Sequence, residues 1–194
     1  MKHLLFLLVT LLTAGTAHAQ TAQTSYAGGQ PVELTIPVTA SVGGRCGFAE
    51  GAAPTGTYTQ ADFDRQGLAG QFDFSLNCTG PSRVAITSAN GGLLTNASVP
   101  TGYANKADYS VTLNLVANDG SSAQATCSAS TLVSGSACAF AGAATTSQGL
   151  RLGSAAVNQA GSYIRVSAPA RSGSTVLVEG TYTDALTVTV SPAL

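Results

Sequence analysis

The sequence predicts an all-β domain, on three observations. Apolar residues recur at every second position in several runs, and no apolar stripe with helical spacing lasts for three turns. The runs are separated by Gly, Pro and Asn, in a chain of 194 residues with 22 Gly and 7 Pro. About seven short strands of this kind make a β-sandwich, because each strand has one apolar face and two sheets must bury those faces against each other.

The first run is PVELTIPVTASV, residues 31–42, with Val32, Leu34, Ile36, Val38, Ala40 and Val42 on one face. Gly43 and Gly44 break it, and Cys46-Gly47-Phe48 follows. After a loop-rich stretch, QFDFSLNC places Phe72, Phe74, Leu76 and Cys78 on one face, and Thr79-Gly80-Pro81 ends it. RVAITSA resumes with Val84 and Ile86 inward, as the second arm of a hairpin, and stops at Asn90-Gly91-Gly92. DYSVTLNLVANDG is a core strand with Tyr109, Val111, Leu113 and Leu115 at alternate positions.

From residue 121 to 148 the chain is small and polar apart from Leu132, Val133 and Phe140, and it is expected to be a surface insertion fastened by Cys127 and Cys138. Strand-like segments return at residues 150–157, 163–166 and 174–180. The last is TYTDALTVTVSPAL, with Tyr182, Asp184, Leu186, Val188 and Val190 on one face and Pro192 expected to break the ladder.

The chain opens MKHLLFLLVTLLTAGTAHA: a basic start, a short apolar run and a small-residue site before Gln20. Residues 1–19 are therefore expected to be a secretory signal peptide, with no membrane span left after its removal. Residues 20–38 form an N-terminal extension, and residues 39–194 the sandwich domain. Both histidines, His3 and His18, lie in the signal segment, so the exported chain has no imidazole for a catalytic triad or a zinc site. No enzyme activity, metal or cofactor is expected. The Asp62-x-Asp64 pair lacks the rest of a calcium loop, and Asp184 beside Tyr182 reads as an edge hydrogen bond or a turn anchor rather than a catalytic acid. Beyond residue 19, Lys106 and six arginines face nine acidic residues, all scattered, so there is no basic patch for nucleic acid.

Four cysteines in an exported chain favour disulfides, and no C-x-x-C spacing suggests redox chemistry. Three pairings are open. Loop closure prefers Cys127 with Cys138, across a short Ser/Ala-rich loop, and Cys46 with Cys78, between two strand-like segments.

The order of these pieces carries a resemblance. ASVGGRCGF, FSLNCTGPSRVAITSANGG, DYSVTLNLVANDG and, most specifically, GTYTDALTVTVSPAL resemble the spore coat U domain family, the fold of subunits in the archaic, Csu-type chaperone-usher pili. The chain departs from that pattern in lacking a Tyr-rich central strand and in carrying the Cys127 to Cys138 loop.

The resemblance implies an immunoglobulin-like sandwich missing its last strand. It implies as partners a periplasmic chaperone, an outer-membrane usher and neighbouring pilin subunits. The N-terminal extension of one subunit then completes the next by donor-strand complementation, giving a surface fibre for adhesion and biofilm formation. Val32, Leu34, Ile36 and Val38 would be the donor residues. The acceptor groove would be lined by Leu186, Val188 and Val190 of the terminal strand and by a first strand at residues 40–48. The alternative is a monomeric secreted or coat-associated β-sandwich that binds a ligand through its loops.

Overall fold

A computed structural model describes residues 39, 44–134, 137–172 and 175–193. The described part is mostly strand, arranged in several sheets that are antiparallel with one small exception, with two short helices, α1 (Phe63–Gln66) and α2 (Ala129–Ser134). β6 (Ser110–Val116) and β7 (Ser122–Ser128) have the period-two burial that an alternating strand requires.

The larger sheet has the order β1-β9-β6-β7, from β1 (Leu68–Cys78), β6 (Ser110–Val116), β7 (Ser122–Ser128) and β9 (Ala156–Ala168). The second has the order β11-β2-β8, from β2 (Ser82–Ser88), β8 (Leu150–Leu152) and β11 (Leu186–Pro192). Four two-residue strands complete the set. β3 (Leu93–Leu94) pairs with β5 (Lys106–Ala107), and β4 (Tyr103–Ala104) pairs in parallel with β10 (Val176–Leu177).

Both sheets contribute to one core. Phe74 and Leu76 of β1, Val84 and Ile86 of β2, Val111, Leu113 and Leu115 of β6, and Ile164 of β9 are buried together. Burying each such side chain is worth about 1.5–3 kcal/mol, so this shared core is the main source of stability.

The three residues 79–81 carry the chain from one sheet to the other, because β1 pairs with β9 and β2 pairs with β11 and β8. The expected hairpin between β1 and β2 is therefore a crossover. The sequence cue was misleading because Thr-Gly-Pro can turn a chain within a sheet or between sheets.

The expected insertion at residues 121–148 also needs correction. β7 pairs with β6 over its whole length, from Ser110↔Ser128 to Val116↔Ser122. α2 (Ala129–Ser134) follows, and its Leu132 is fully buried together with Phe140. The strand is faint in sequence because its inward residues are Ala123, Ala125 and Cys127, which carry little apolar weight. The segments expected at 150–157 and 163–166 fall instead into short β8 and one long β9. Asn158, with φ of 54°, lies where the β1–β9 register shifts, and the Asn118 Oδ1 accepts from the neighbouring Val157 N–H at 2.6 Å.

The two disulfides are Cys46–Cys78 and Cys127–Cys138, the pairing that loop closure prefers. The first fastens residues 45–49 antiparallel to the end of β1. There Thr79 N–H donates to Arg45 O at 3.1 Å, Asn77 N–H to Gly47 O at 2.8 Å, and Ala49 N–H to Ser75 O at 2.9 Å. Of the first strand expected at residues 40–48, only Phe48 makes a ladder bridge, to Leu76, while residues 40–43 lie outside the described set. Paired cysteines suit an oxidising compartment. Among the described residues no helix is long and apolar enough to cross a membrane.

Candidate functional site

β11 is an edge strand of the second sheet, and its three core-facing residues are not fully covered. Leu186, Val188 and Val190 are half-buried, whereas Val84 and Ile86, their cross-strand partners at the Val190 and Val188 positions, are completely buried. Apolar side chains that point into a sandwich yet keep contact with solvent mark an opening in it.

That opening is a cavity of about 390 Å³. Leu186 and Val188 form one wall, and Leu68 and Phe72 of β1 with Ile164 and Val166 of β9 form the other. A second cavity of about 670 Å³ shares Tyr58, Leu68, Leu93 and Asp184 with it and continues towards residues 59–64 and 177–183. Val190 does not line the cavity but lies on the same face of β11 and packs against the same core. The second wall is built by β1 and β9 rather than by residues 44–48. The alternation of Ile164 and Val166 in SYIRVSA was the available signal for it.

The backbone of β11 has a definite polarity. Ala89 N–H donates to Ala185 O at 2.9 Å and Ala193 N–H donates to Pro81 O at 2.9 Å, so the odd-numbered residues exchange ladder bonds with β2. Opposite Val188, the N–H of Ile86 turns the other way, donating to Phe140 O at 2.7 Å. The N–H and C=O of Leu186, Val188 and Val190 therefore face away from β2, and among the described residues they have no backbone partner. Pro192 is one of these even-numbered residues. Its missing N–H falls on the outer edge, which is why the ladder to β2 runs through it to Ser82 instead of breaking there.

Asp184 fixes the start of this strand. Its Oδ2 accepts from the Ser88 hydroxyl at 2.6 Å, the Tyr109 hydroxyl at 2.8 Å and the Gly92 N–H at 3.2 Å. Its Oδ1 accepts from the N–H groups of Asn90 at 3.0 Å and Ala185 at 2.7 Å. Gly92 has φ of 147°, and a Cβ there would meet Ala107 O at 2.9 Å, so the close approach of this turn needs glycine. Burial opposes the charge on Asp184, but the hydrogen bonds from Ser88, Asn90, Tyr109 and Ala185 outweigh it and hold the carboxyl below its ordinary value. Burial first, and then the Asp184 carboxylate, push the Tyr109 hydroxyl well above its usual range. Neither group is poised to exchange a proton near neutrality, so the pair is an anchor.

A pH effect follows from the lowered Asp184. Its stabilisation is present above about pH 4, the ordinary carboxyl value, and is lost as pH falls through the lower folded value. Asp184→Asn should therefore lower the melting temperature at pH 7, with the loss on the order of 2 kcal/mol expected for hydrogen bonds to a charged group. The gap between variant and parent should narrow in melts towards pH 2.

Tyr182 donates to Val178 O at 2.8 Å and stacks edge-on against Phe63, so it too braces a loop. Among the described residues no three His, Cys, Asp or Glu side chains cluster as metal ligands. The expected donor residues Val32, Leu34, Ile36 and Val38 lie outside the described residues. No protein-family model, curated protein or solved structure matches the chain.

Proposed function

We propose that this chain is a structural subunit of a surface fibre, exported and assembled by a chaperone-usher pathway. Residues 32–38 of one copy complete the sandwich of the next, which is immunoglobulin-like and short of one strand. The observation that carries the reading is β11: an edge strand whose half-buried apolar face and outward N–H and C=O groups coincide on Leu186, Val188 and Val190. Such an edge aggregates unless another strand covers it. The order of motifs that resembles the spore coat U family supports the same reading, as do the paired cysteines.

The fit extends to the tail's sequence. In an antiparallel pair, residues that exchange ladder bonds point their side chains to the same side. A strand that presents Val32, Leu34, Ile36 and Val38 to the groove thus bonds β11 through those same residues, and the amides of Glu33, Thr35 and Pro37 turn away. Pro37 is harmless in that position. Four apolar side chains buried at about 1.5–3 kcal/mol each make a durable link after ordering costs. A periplasmic chaperone would hold the groove before the usher passes the subunit on, and adhesion and biofilm formation are the roles of the resulting fibre. No catalytic step is assigned to the chain.

Gel electrophoresis in SDS tests this reading on surface extracts, unboiled and boiled, for the full chain and for one lacking residues 20–38. A ladder that collapses on boiling and is absent from the deletion is the expected result. A monomer band in both, with the deleted form still folded, would replace the subunit by a self-contained secreted binding module.

A further inference from the structure

We propose that Pro37 is a specificity residue that turns residues 32–38 away from the chain's own groove and towards that of a second copy, an inference that rests on the strand-exchange reading above. The geometry concerns where the tail joins the domain. Residue 45 is bonded to Thr79, at the end of β1, and only residues 79–81 separate β1 from β2. Ser82, the first residue of β2, lies opposite Pro192, the last of β11. Residue 45 thus lies at the end of the domain where β11 finishes.

A tail that folds directly back from residue 45 into its own groove would place residue 38 near Pro192 and residue 32 near Leu186. It would run parallel to β11. In a parallel pair the bonds to Leu186, Val188 and Val190 come from the residues flanking those opposite them. With Val32, Leu34, Ile36 and Val38 facing the groove, the bonding residues are Glu33, Thr35 and Pro37. Pro37 has no N–H to give, so one β11 carbonyl goes unpaired in a dry groove.

The antiparallel direction within one copy meets a different obstacle. Residues 39–44 would have to return along the whole of β11, about 20 Å at roughly 3.3 Å per residue. The seven steps from residue 38 to residue 45 reach at most about 24 Å, so residues 39–44 would lie almost straight beside an already filled groove. A second copy imposes neither constraint. The proline is therefore neutral for exchange between copies and unfavourable for self-closure.

The test is the Pro37→Thr substitution in the full chain, refolded from denaturant over a dilution series and separated by size exclusion. Self-closure is independent of concentration and exchange is not. The variant should show, at high dilution, about a tenfold larger fraction of monomer in which the Leu186, Val188 and Val190 amides exchange slowly, and adding Ile36→Asp to it should make those amides exchange fast. Equal monomer fractions for parent and Pro37→Thr would overturn the role of Pro37. A parent monomer in which these three amides are already slow, and become fast with Ile36→Asp, would also overturn it while leaving groove and donor in place. If the parent forms no polymer and Ile36→Asp changes nothing, the strand-exchange reading fails as well.

Discussion

Val188→Asp should leave the domain folded and, on the proposed strand exchange, abolish assembly. Val188 is half-buried at the wall of the groove, so in the isolated domain a carboxylate there keeps a route to water. Once a strand fills the groove, the same carboxylate is enclosed with no cationic partner. Leaving such a charge uncompensated costs on the order of 4 kcal/mol, which weakens the link between subunits about a thousandfold. The control is its cross-strand partner Ile86, completely buried in β2. Ile86→Asp should prevent folding altogether. Circular dichroism and sedimentation of the two variants separate the effects. Val188→Asp that unfolds, or that polymerises like the parent, would place the opening somewhere other than β11.

The second large effect is expected at Cys46–Cys78. The two disulfides close loops of different length, with sequence separations of 32 and 11. In the chain-entropy description the longer loop contributes about 3.7 kcal/mol and the shorter about 2.8 kcal/mol. Replacing Cys46 and Cys78 with Ser should thus destabilise the domain more than replacing Cys127 and Cys138, as read from urea midpoints at equal slope. The first bridge has a further consequence, because it holds residues 45–49 to β1 where the tail begins. On the proposed strand exchange, its removal should loosen the connection between donor and domain, so that fibres of the Cys46→Ser, Cys78→Ser variant dissociate at lower denaturant than their subunits' stability alone explains. The reverse order of urea midpoints would mean that residues 45–49 are held to β1 mainly by backbone bonds and Phe48 packing.

The strands that could be read from sequence were those whose inward residues are large. β6 shows this best: Val111, Leu113 and Leu115 alternate with Thr112 and Asn114, and all three are fully buried. β7 makes an equally regular ladder but turns Ala123, Ala125 and Cys127 inward, so its alternation is weak and the segment reads as an insertion. Pairing is less legible than strandedness, because it is set by which faces meet in space. The same Thr79-Gly80-Pro81 that suggested a hairpin carries the chain across to the other sheet.

The groove was half legible. Leu186, Val188 and Val190 stand out by their period, whereas Leu68 and Phe72 come from a strand more than a hundred residues earlier in the chain and reach the cavity only through the sandwich. Asp184 was recognisable as an edge hydrogen bond or a turn anchor, but its partners were not. Ser88, Asn90 and Tyr109 meet it only because β2 pairs with β11 and because the turn after β2 folds over the start of β11. The backbone polarity of β11 has no sequence signature at all, since any residue can turn its amide either way.

That polarity makes amide hydrogen exchange, read residue by residue along β11, the most direct measurement. It compares assembled full-length chain with a full-length Leu34→Asp, Ile36→Asp variant, whose tail cannot enter an apolar groove. Thr187 and Thr189 bond to β2 and should exchange slowly in both. Leu186, Val188 and Val190 should be slow in the assembled chain and fast in the variant if residues 32–38 of a neighbour bind there. Equal exchange of these three amides in the two proteins would contradict strand insertion beside β11.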